Sequence, residues 1–332
     1  MPWKSVTVSV VVAAAFYLTL FAGTDLDASL AAAARLTWPW WLTILALSLV
    51  NYVLRYLRWD GYLRKAGHRL PVFRHLLVYL GGFALTTTPA KAGEAIRALY
   101  LRPLGVSVRR SIATLYAERV VDVISIALLA VMLYQLDVRG YRWVAILAAC
   151  AAAALLLLQR RACLRAAGTL VRRLPWRSLR QAARHGVHCL RQAGTLLRGR
   201  MLAYGVVLGL VSWSAEALAF YLVVRVLDIP IELMPAVGIY ATAMLAGALS
   251  FVPGGLGGTE AVMASLLILG GAPPPSAMAA TTITRVATLW FAVAVGVLAL
   301  LATEAAGRRR SRRFPQPAAR EQGSDGPSPL AG

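Results

Sequence analysis

Acidic side chains are scarce in this chain: 14 Asp and Glu stand against 35 Lys and Arg, for a net charge of +21. Charge of either sign is itself sparse, at 15% of residues, while 59% are hydrophobic and the mean hydropathy is +0.64. That balance excludes a water-soluble domain of this length. Cysteine is limited to Cys150, Cys163 and Cys189, an odd set without a C-x-x-C pair, which excludes a disulfide framework and reads as reduced thiols. Among the few histidines, His185 and His188 stand beside Cys189 but among arginines with no fourth ligand, so no metal site is expected. The chain has no GK[ST] after its glycine run, no strand-borne G-x-G-x-x-G and no nucleophile elbow. No catalytic residue and no cofactor are therefore expected.

What the chain has in quantity is apolar sequence. Hydrophobic runs recur at residues 6–22, 40–54, 76–85, 111–136, 143–158, 201–224, 233–251, 261–269 and 277–302. Several reach the roughly 17–25 residues a helix needs to cross about 30 Å of hydrocarbon. The expected fold class is all-α, a polytopic membrane helical bundle with about six full spans. The first run has a basic start and no small-residue cleavage site behind it, so it reads as a retained span rather than a signal peptide.

The basic residues are unevenly placed. Eleven arginines and no acid lie between Gln159 and Arg200, and Arg308, Arg309, Arg310, Arg312 and Arg313 follow the last apolar run. Arg55, Arg58, Arg64, Lys65 and Arg69 close the second run. Basic loops beside spans mark the cytoplasmic side and attract anionic lipid. The distribution therefore argues against nucleic acid as a partner and puts both termini on the cytoplasmic side of the membrane. Within the arginine-rich loop, Leu179, Ala183, Val187, Leu190, Gly194 and Leu197 share one helical arc flanked by Arg180, Arg184, Arg191 and Arg198. Such a helix either lies on the inner leaflet or covers a cytosolic face of the bundle. Four segments result: a first membrane half over 1–158, the arginine-rich cytoplasmic loop over 159–200, a second membrane half over 201–304 and a disordered basic tail over 305–332.

Each half contains one helix break. Pro253, Gly254, Gly255, Gly257 and Gly258 interrupt an apolar stretch, and Pro89 to Glu94, with Gly93, interrupts another. Proline removes a donor and glycine gains nothing from a fixed backbone, so the helix stops at both places. Each proline has a glycine four residues on, a glutamate just beyond (Glu94, Glu260) and an arginine in the following helix, Arg119 after 30 residues and Arg285 after 32. Flanking charge places the two breaks at the tips of re-entrant helical hairpins, near 76–101 and 233–271, that enter from opposite faces as an inverted repeat. Chance recurrence of Pro-Gly breaks is the alternative.

Ionisable groups inside spans are costly and mark candidate sites. The set comprises Lys91, Glu94 and Arg97 at the first tip, Glu118, Arg119 and Asp122 in the next helix, then Glu216, Glu260 and Arg285. Lys91, Arg97, Arg119 and Arg285 are the candidates for binding a phosphate headgroup, aided by half-helix amino termini. Glu94, Glu118, Asp122, Glu216 and Glu260 are candidates for pairing with these cations or relaying charge. Pairing that only holds the bundle together is the plainer account of the same residues.

These residues carry a resemblance. Arg58-Trp59, Pro89 to Arg97 as P-x-x-x-G-E-x-x-R, Glu118 to Asp122 as E-R-x-x-D, Pro253 to Gly257 followed by Glu260, and Arg285 resemble the lysylphosphatidylglycerol synthase transmembrane family, also called UPF0104, over about residues 5–303. Gly258-Thr259 before Glu260 departs from its many relatives in which the acid stands nearer the last glycine. The resemblance implies a flippase region without the soluble synthase domain, moving a phospholipid or related lipid between leaflets with no aminoacyl transfer and no enzymatic step. It also leaves open a hopanoid-type cargo, a lipid-biosynthetic enzyme as partner and a homo-oligomer. A non-transporting scaffold or regulator of a lipid or glycan biosynthetic complex is the alternative function.

Overall fold

The computed structural model describes residues 31, 33–132, 150, 153, 161–172, 176–250 and 252–313. The expected first span, most of the run at 143–158 and the tail beyond 313 lie outside the described residues. Those described are mostly helical, with no strand among them.

Helix α1 (Trp38–Lys65) begins with Pro39 in its first turn, where a missing N–H costs nothing, and ends on Arg64 and Lys65, whose charge suits the negative end of the helix dipole. Its polarity runs opposite to that of a soluble helix. Ser48, Asn51, Tyr52, Arg55, Arg58, Trp59 and Tyr62 form a buried stripe at three- and four-residue spacing, while Leu49, Val50, Val53 and Leu57 are exposed. An apolar exterior around a partly polar interior is what a hydrocarbon surround selects. Among the described residues three helical stretches are long and apolar enough to cross a membrane: α1, α7 (Gly199–Val226) and the continuous 274–306 stretch. The molecule is a helical membrane bundle.

The remaining elements follow in order. Helix α2 (Val72–Gly81) tightens into a 3₁₀ turn over Gly82–Leu85, and a second 3₁₀ segment, Pro89–Ile96, leads into α3 (Arg97–Leu101) and α4 (Val108–Ala130). Helices α5 (Arg161–Arg172) and α6 (Arg177–Leu196) precede α7. Then come α8 (Leu233–Leu249), a 3₁₀ turn at Pro253–Gly255, α9 (Gly258–Leu269) and α10 (Pro274–Arg285), which passes through a π turn at Val286–Trp290 into α11 (Phe291–Arg313). The two halves share a pattern: a 28-residue helix (α1, α7), a short apolar helix (α2, α8), a broken segment opening on proline, and a returning helix.

Helix α7 packs along α1, and α4 fits against α7 and α8. The largest core cluster joins α7, α8, α9 and α10 through Phe220, Tyr240, Met263 and their neighbours. A second, aromatic cluster joins α1 to the first broken hairpin through Tyr52, Trp59, Tyr79 and Phe83. The first break starts earlier than Pro89. Helix α2 loses its α pitch at Gly82, where a Cβ would overlap Arg97 Nε. Of the expected apolar arc, Val187, Gly194 and, just past the end of α6, Leu197 are buried; Leu197 packs with Ala193 and Leu196, which lie outside that arc, against Ala117 and Val121 of α4.

Candidate functional site

Helix α4 supplies the centre of the site. Glu118 and Asp122 lie one turn apart on its buried face, and Arg119 extends from beside them. Around them gather the guanidiniums of α1 and the first break. Arg58 Nη2 donates to Asp122 Oδ1 at 2.5 Å, and Arg55 Nη2 to Oδ2 at 3.3 Å. Arg97 Nη1 donates to Glu118 Oε2 at 3.2 Å and its Nη2 pairs with Glu94 at the same distance. Arg119 Nη2 stands 3.3 Å from Glu94, 3.5 Å from Glu118 and 3.3 Å from Asp122. Neutral donors complete the carboxylates: Tyr79 to Glu118 at 2.6 Å, Thr86 to Glu94 at 2.9 Å and Trp213 to Asp122 at 3.1 Å. Four arginines thus face three carboxylates, so the cluster is one positive charge in excess. Aromatic faces take up part of that excess, with Arg97 4.0 Å above the Tyr79 ring and Arg55 5.4 Å from the Trp213 ring.

Arg55 and Arg58 correct the expectation that they belong to the basic surface at the end of α1. They are 6% and 0% exposed and belong to the interior. A sequence signal was available: they fall on the Ser48, Asn51, Tyr52, Trp59, Tyr62 stripe, whereas Arg64 and Lys65 end the helix. Asp60 and His75 were also missed. His75 is buried between Asp60 Oδ1, 3.1 Å from Nδ1, and the Trp59 indole N–H, which donates to Nε2 at 3.0 Å.

The second break has its own pair. Arg285 donates from Nε to Glu260 Oε1 and from Nη2 to the Gly254 carbonyl, both at 2.7 Å, while Glu260 Oε2 accepts the Gly257 N–H at 2.8 Å. The amino terminus of α9 is therefore already filled by a carboxylate of its own first turn, which corrects the expectation that it stands open for a phosphate. Gly254, Gly255 and Gly257 have φ of 64°, 67° and 85°, a region that side chains with a Cβ adopt only with strain. Thr88 fixes the first break instead, accepting the Gly93 N–H at 2.6 Å and donating to the Leu85 carbonyl at 2.8 Å. The π turn after Arg285 disturbs the helical ladder, and α1 serves its carbonyls: Ser48 donates to Ala287 O and Tyr52 to Thr288 O, each at 2.9 Å.

The two breaks meet. Segment Pro89–Ile96 touches Pro253–Gly255, and Thr87 lies beside Gly254. Next to this junction is a cavity of about 240 Å³ whose polar wall includes Arg55, Arg119, Asp122, Glu216, Arg285 and Thr86. Val123, Ile126, Met244 and Leu289 supply apolar wall. Of the expected headgroup cations, Arg119 and Arg285 line the cavity and Arg97 does not; the side chain of Lys91 lies outside the described residues. Of the acids, Asp122 and Glu216 line it, whereas Glu94, Glu118 and Glu260 sit behind it. Glu216 accepts the Tyr240 hydroxyl at 2.6 Å. Arg119 stands apart from the other arginines in exposure: its side chain is 25% accessible, against 7% for Arg55 and 2% for Arg285. Its Nε and Nη2 are buried and make no hydrogen bond, and Nη2 faces the three carboxylates at ion-pair distance.

The sequence model of the lysylphosphatidylglycerol synthase TM region matches residues 6–296, most of the chain and both breaks. The chain belongs to this family. Membership gives it a membrane lipid-related role. A UPF0104 membrane protein of Methanothermobacter thermautotrophicus is 29% identical over 100 residues, 30% of each chain. A phosphatidylglycerol lysyltransferase of Staphylococcus epidermidis is 40% identical over 63 residues, 19% of this chain and 8% of that enzyme. The matched stretches thus span less than a third of the length of either relative.

Proposed function

We propose that this family member translocates a phospholipid or related phosphate-bearing lipid between the leaflets of a bacterial inner membrane. The headgroup would pass through the cavity between the two broken helices while the acyl chains stay in lipid. One observation carries the reading: Arg119 is a cation with accessible side-chain surface that lines that cavity, in a cluster one positive charge in excess. A phosphate there gains charge-assisted bonds in a low-dielectric site. Arg55 would share the anion, Arg285 would hold the second tip in place, and Asp122 and Glu216 would set the local field or carry a coupling proton. The basic ends of α1 and α7 and the arginine-rich loop would face the cytoplasm, with the two hairpins re-entering from opposite sides. The reading includes no bond-making step.

The test is leaflet exchange by purified protein in liposomes. Wild-type protein should expose an inner-leaflet fluorescent phospholipid to an external membrane-impermeant quencher, and Arg119→Ala should not. Wild-type vesicles no faster than empty ones for phospholipid or polyprenyl phosphate would overturn the reading. A biosynthetic enzyme that co-purifies and keeps its activity with Arg119→Ala would favour a scaffold instead.

A further inference from the structure

The arginine-rich segment between the halves takes no part in the cavity, and its two helices are placed differently. Helix α6 is seated on protein: Ala193, Leu196 and Leu197 pack on α4, and Cys189 Sγ lies 3.8 Å from the Arg109 carbonyl. Helix α5 packs on α6. Its residues Ala162, Cys163 and Ala166 are exposed, and with half-buried Val171 they occupy an arc of about 180° at 100° per residue. Arg165, also exposed, lies outside that arc, about 160° around the helix from Cys163, while exposed Thr169 stands at the arc's edge beside Ala162. Trp176, between α5 and α6, is 72% exposed.

The position of this pair is fixed by its neighbours. Arg110 near the start of α4 donates to the Ala66 carbonyl at the end of α1 at 3.1 Å, which brings those termini together. Helix α6 rests on α4, and Arg198 and Arg200 lead directly into α7, a helix able to cross the membrane. Helices α5 and α6 therefore lie at the end of the bundle where α7 enters the bilayer.

We infer that α5 lies in the headgroup layer of an anionic leaflet, with Ala162, Cys163 and Ala166 toward the acyl chains, Arg165 among lipid phosphates and Trp176 at the interface. Charge selects this occupant. Eleven arginines without an acid between Gln159 and Arg200 repel a second copy of a chain that itself carries +21. Nucleic acid would satisfy the arginines but leave the apolar arc and Trp176 in water. An anionic bilayer surface takes both, and α7 already holds the segment at that depth. This inference is independent of translocation.

The full chain provides the probe. In a Cys150→Ser/Cys189→Ser background, Cys163 is labelled with an environment-sensitive fluorophore, and a matched protein with Cys163→Ser and Arg165→Cys carries the label on the other side of α5. Both are placed in nanodiscs of phosphatidylcholine alone and of phosphatidylcholine with phosphatidylglycerol. The label at 163 should be blue-shifted, quenched by nitroxide lipid and protected from iodide in the anionic discs, and the label at 165 should show the reverse. Adding Arg165→Gln, Arg177→Gln and Arg184→Gln should lower lipid quenching at 163 to the level found in phosphatidylcholine, with helical content unchanged. Iodide access at 163 in both discs would overturn the inference, as would shielding of 163 and 165 from both quenchers, which means a protein covers the helix. Equal lipid quenching in both discs and in the arginine variant would overturn the anionic leaflet as the occupant.

Discussion

Arg285 and Glu260, 25 residues apart and both buried, meet at 2.7 Å and close the second broken helix on itself. The same guanidinium holds the Gly254 carbonyl, so one side chain ties the π-bulged helix to the proline turn and to the first turn of α9. Glu94 and Arg119 repeat the relationship in the first half at 3.3 Å, with the difference that the Arg119 side chain is 25% accessible where that of Arg285 is 2%.

Arg285→Ala removes the charge that compensates Glu260 in the interior. Breaking a buried pair from one side costs about 3–5 kcal/mol. Thermal unfolding in detergent, followed by circular dichroism, should show a lowered midpoint, and Arg285→Lys should recover only part of it because an ammonium cannot reach carboxylate and carbonyl with a planar fork.

Arg119→Ala should behave in the opposite way. It leaves Arg55, Arg58 and Arg97 facing Glu94, Glu118 and Asp122, three charges of each sign. The fold should keep its unfolding midpoint while lipid exchange falls roughly 10- to 100-fold, the worth of about 1.5–3 kcal/mol for a hydrogen bond to a charged group. A drop in midpoint as large as that of Arg285→Ala, with exchange intact, would assign Arg119 to the scaffold.

Gly257→Ala should damage the second tip more than Gly254→Ala. Gly254 sits at φ 64° and ψ 6°, close to the left-handed helical region, where an alanine costs about 1–2 kcal/mol. Gly257 sits at φ 85° and ψ −56°, which is further from any region open to a residue with a Cβ. Comparison of the two unfolding midpoints checks the order.

His68, in the loop after α1, accepts from Arg110 Nη1 at 2.7 Å when neutral. Burial first and the Arg110 charge second hold its pKa below the ordinary histidine value. Because the folded value is lowered, the stability from this contact is present above the ordinary value and fades as pH falls through the lowered one. Histidine NMR titration should show Arg110→Ala moving the His68 midpoint upward.

The membrane class, the helical fold and the two breaks were all legible along the chain, because hydrophobic length and the missing N–H of proline act locally and need no partner. That Arg119 and Arg285 would pair with acids of the set was legible too, but the choice of Glu94 for Arg119 and Glu260 for Arg285 was left open until packing made it. The assignment of the other arginines was not. Arg58 and Arg64 read alike near the end of one helix, yet Arg58 is sealed against Asp122 and Arg64 pairs at the surface with Asp60. A charge is buried only where distant helices bring it a counter-charge, and that is decided by how α1, α4 and the first break pack. The cavity has the same origin. Sequence alone named Arg97, Arg119 and Arg285 together, and tertiary packing turned Arg97 onto the Tyr79 ring, locked Arg285 to the second tip and left the Arg119 guanidinium with surface in the space between the breaks.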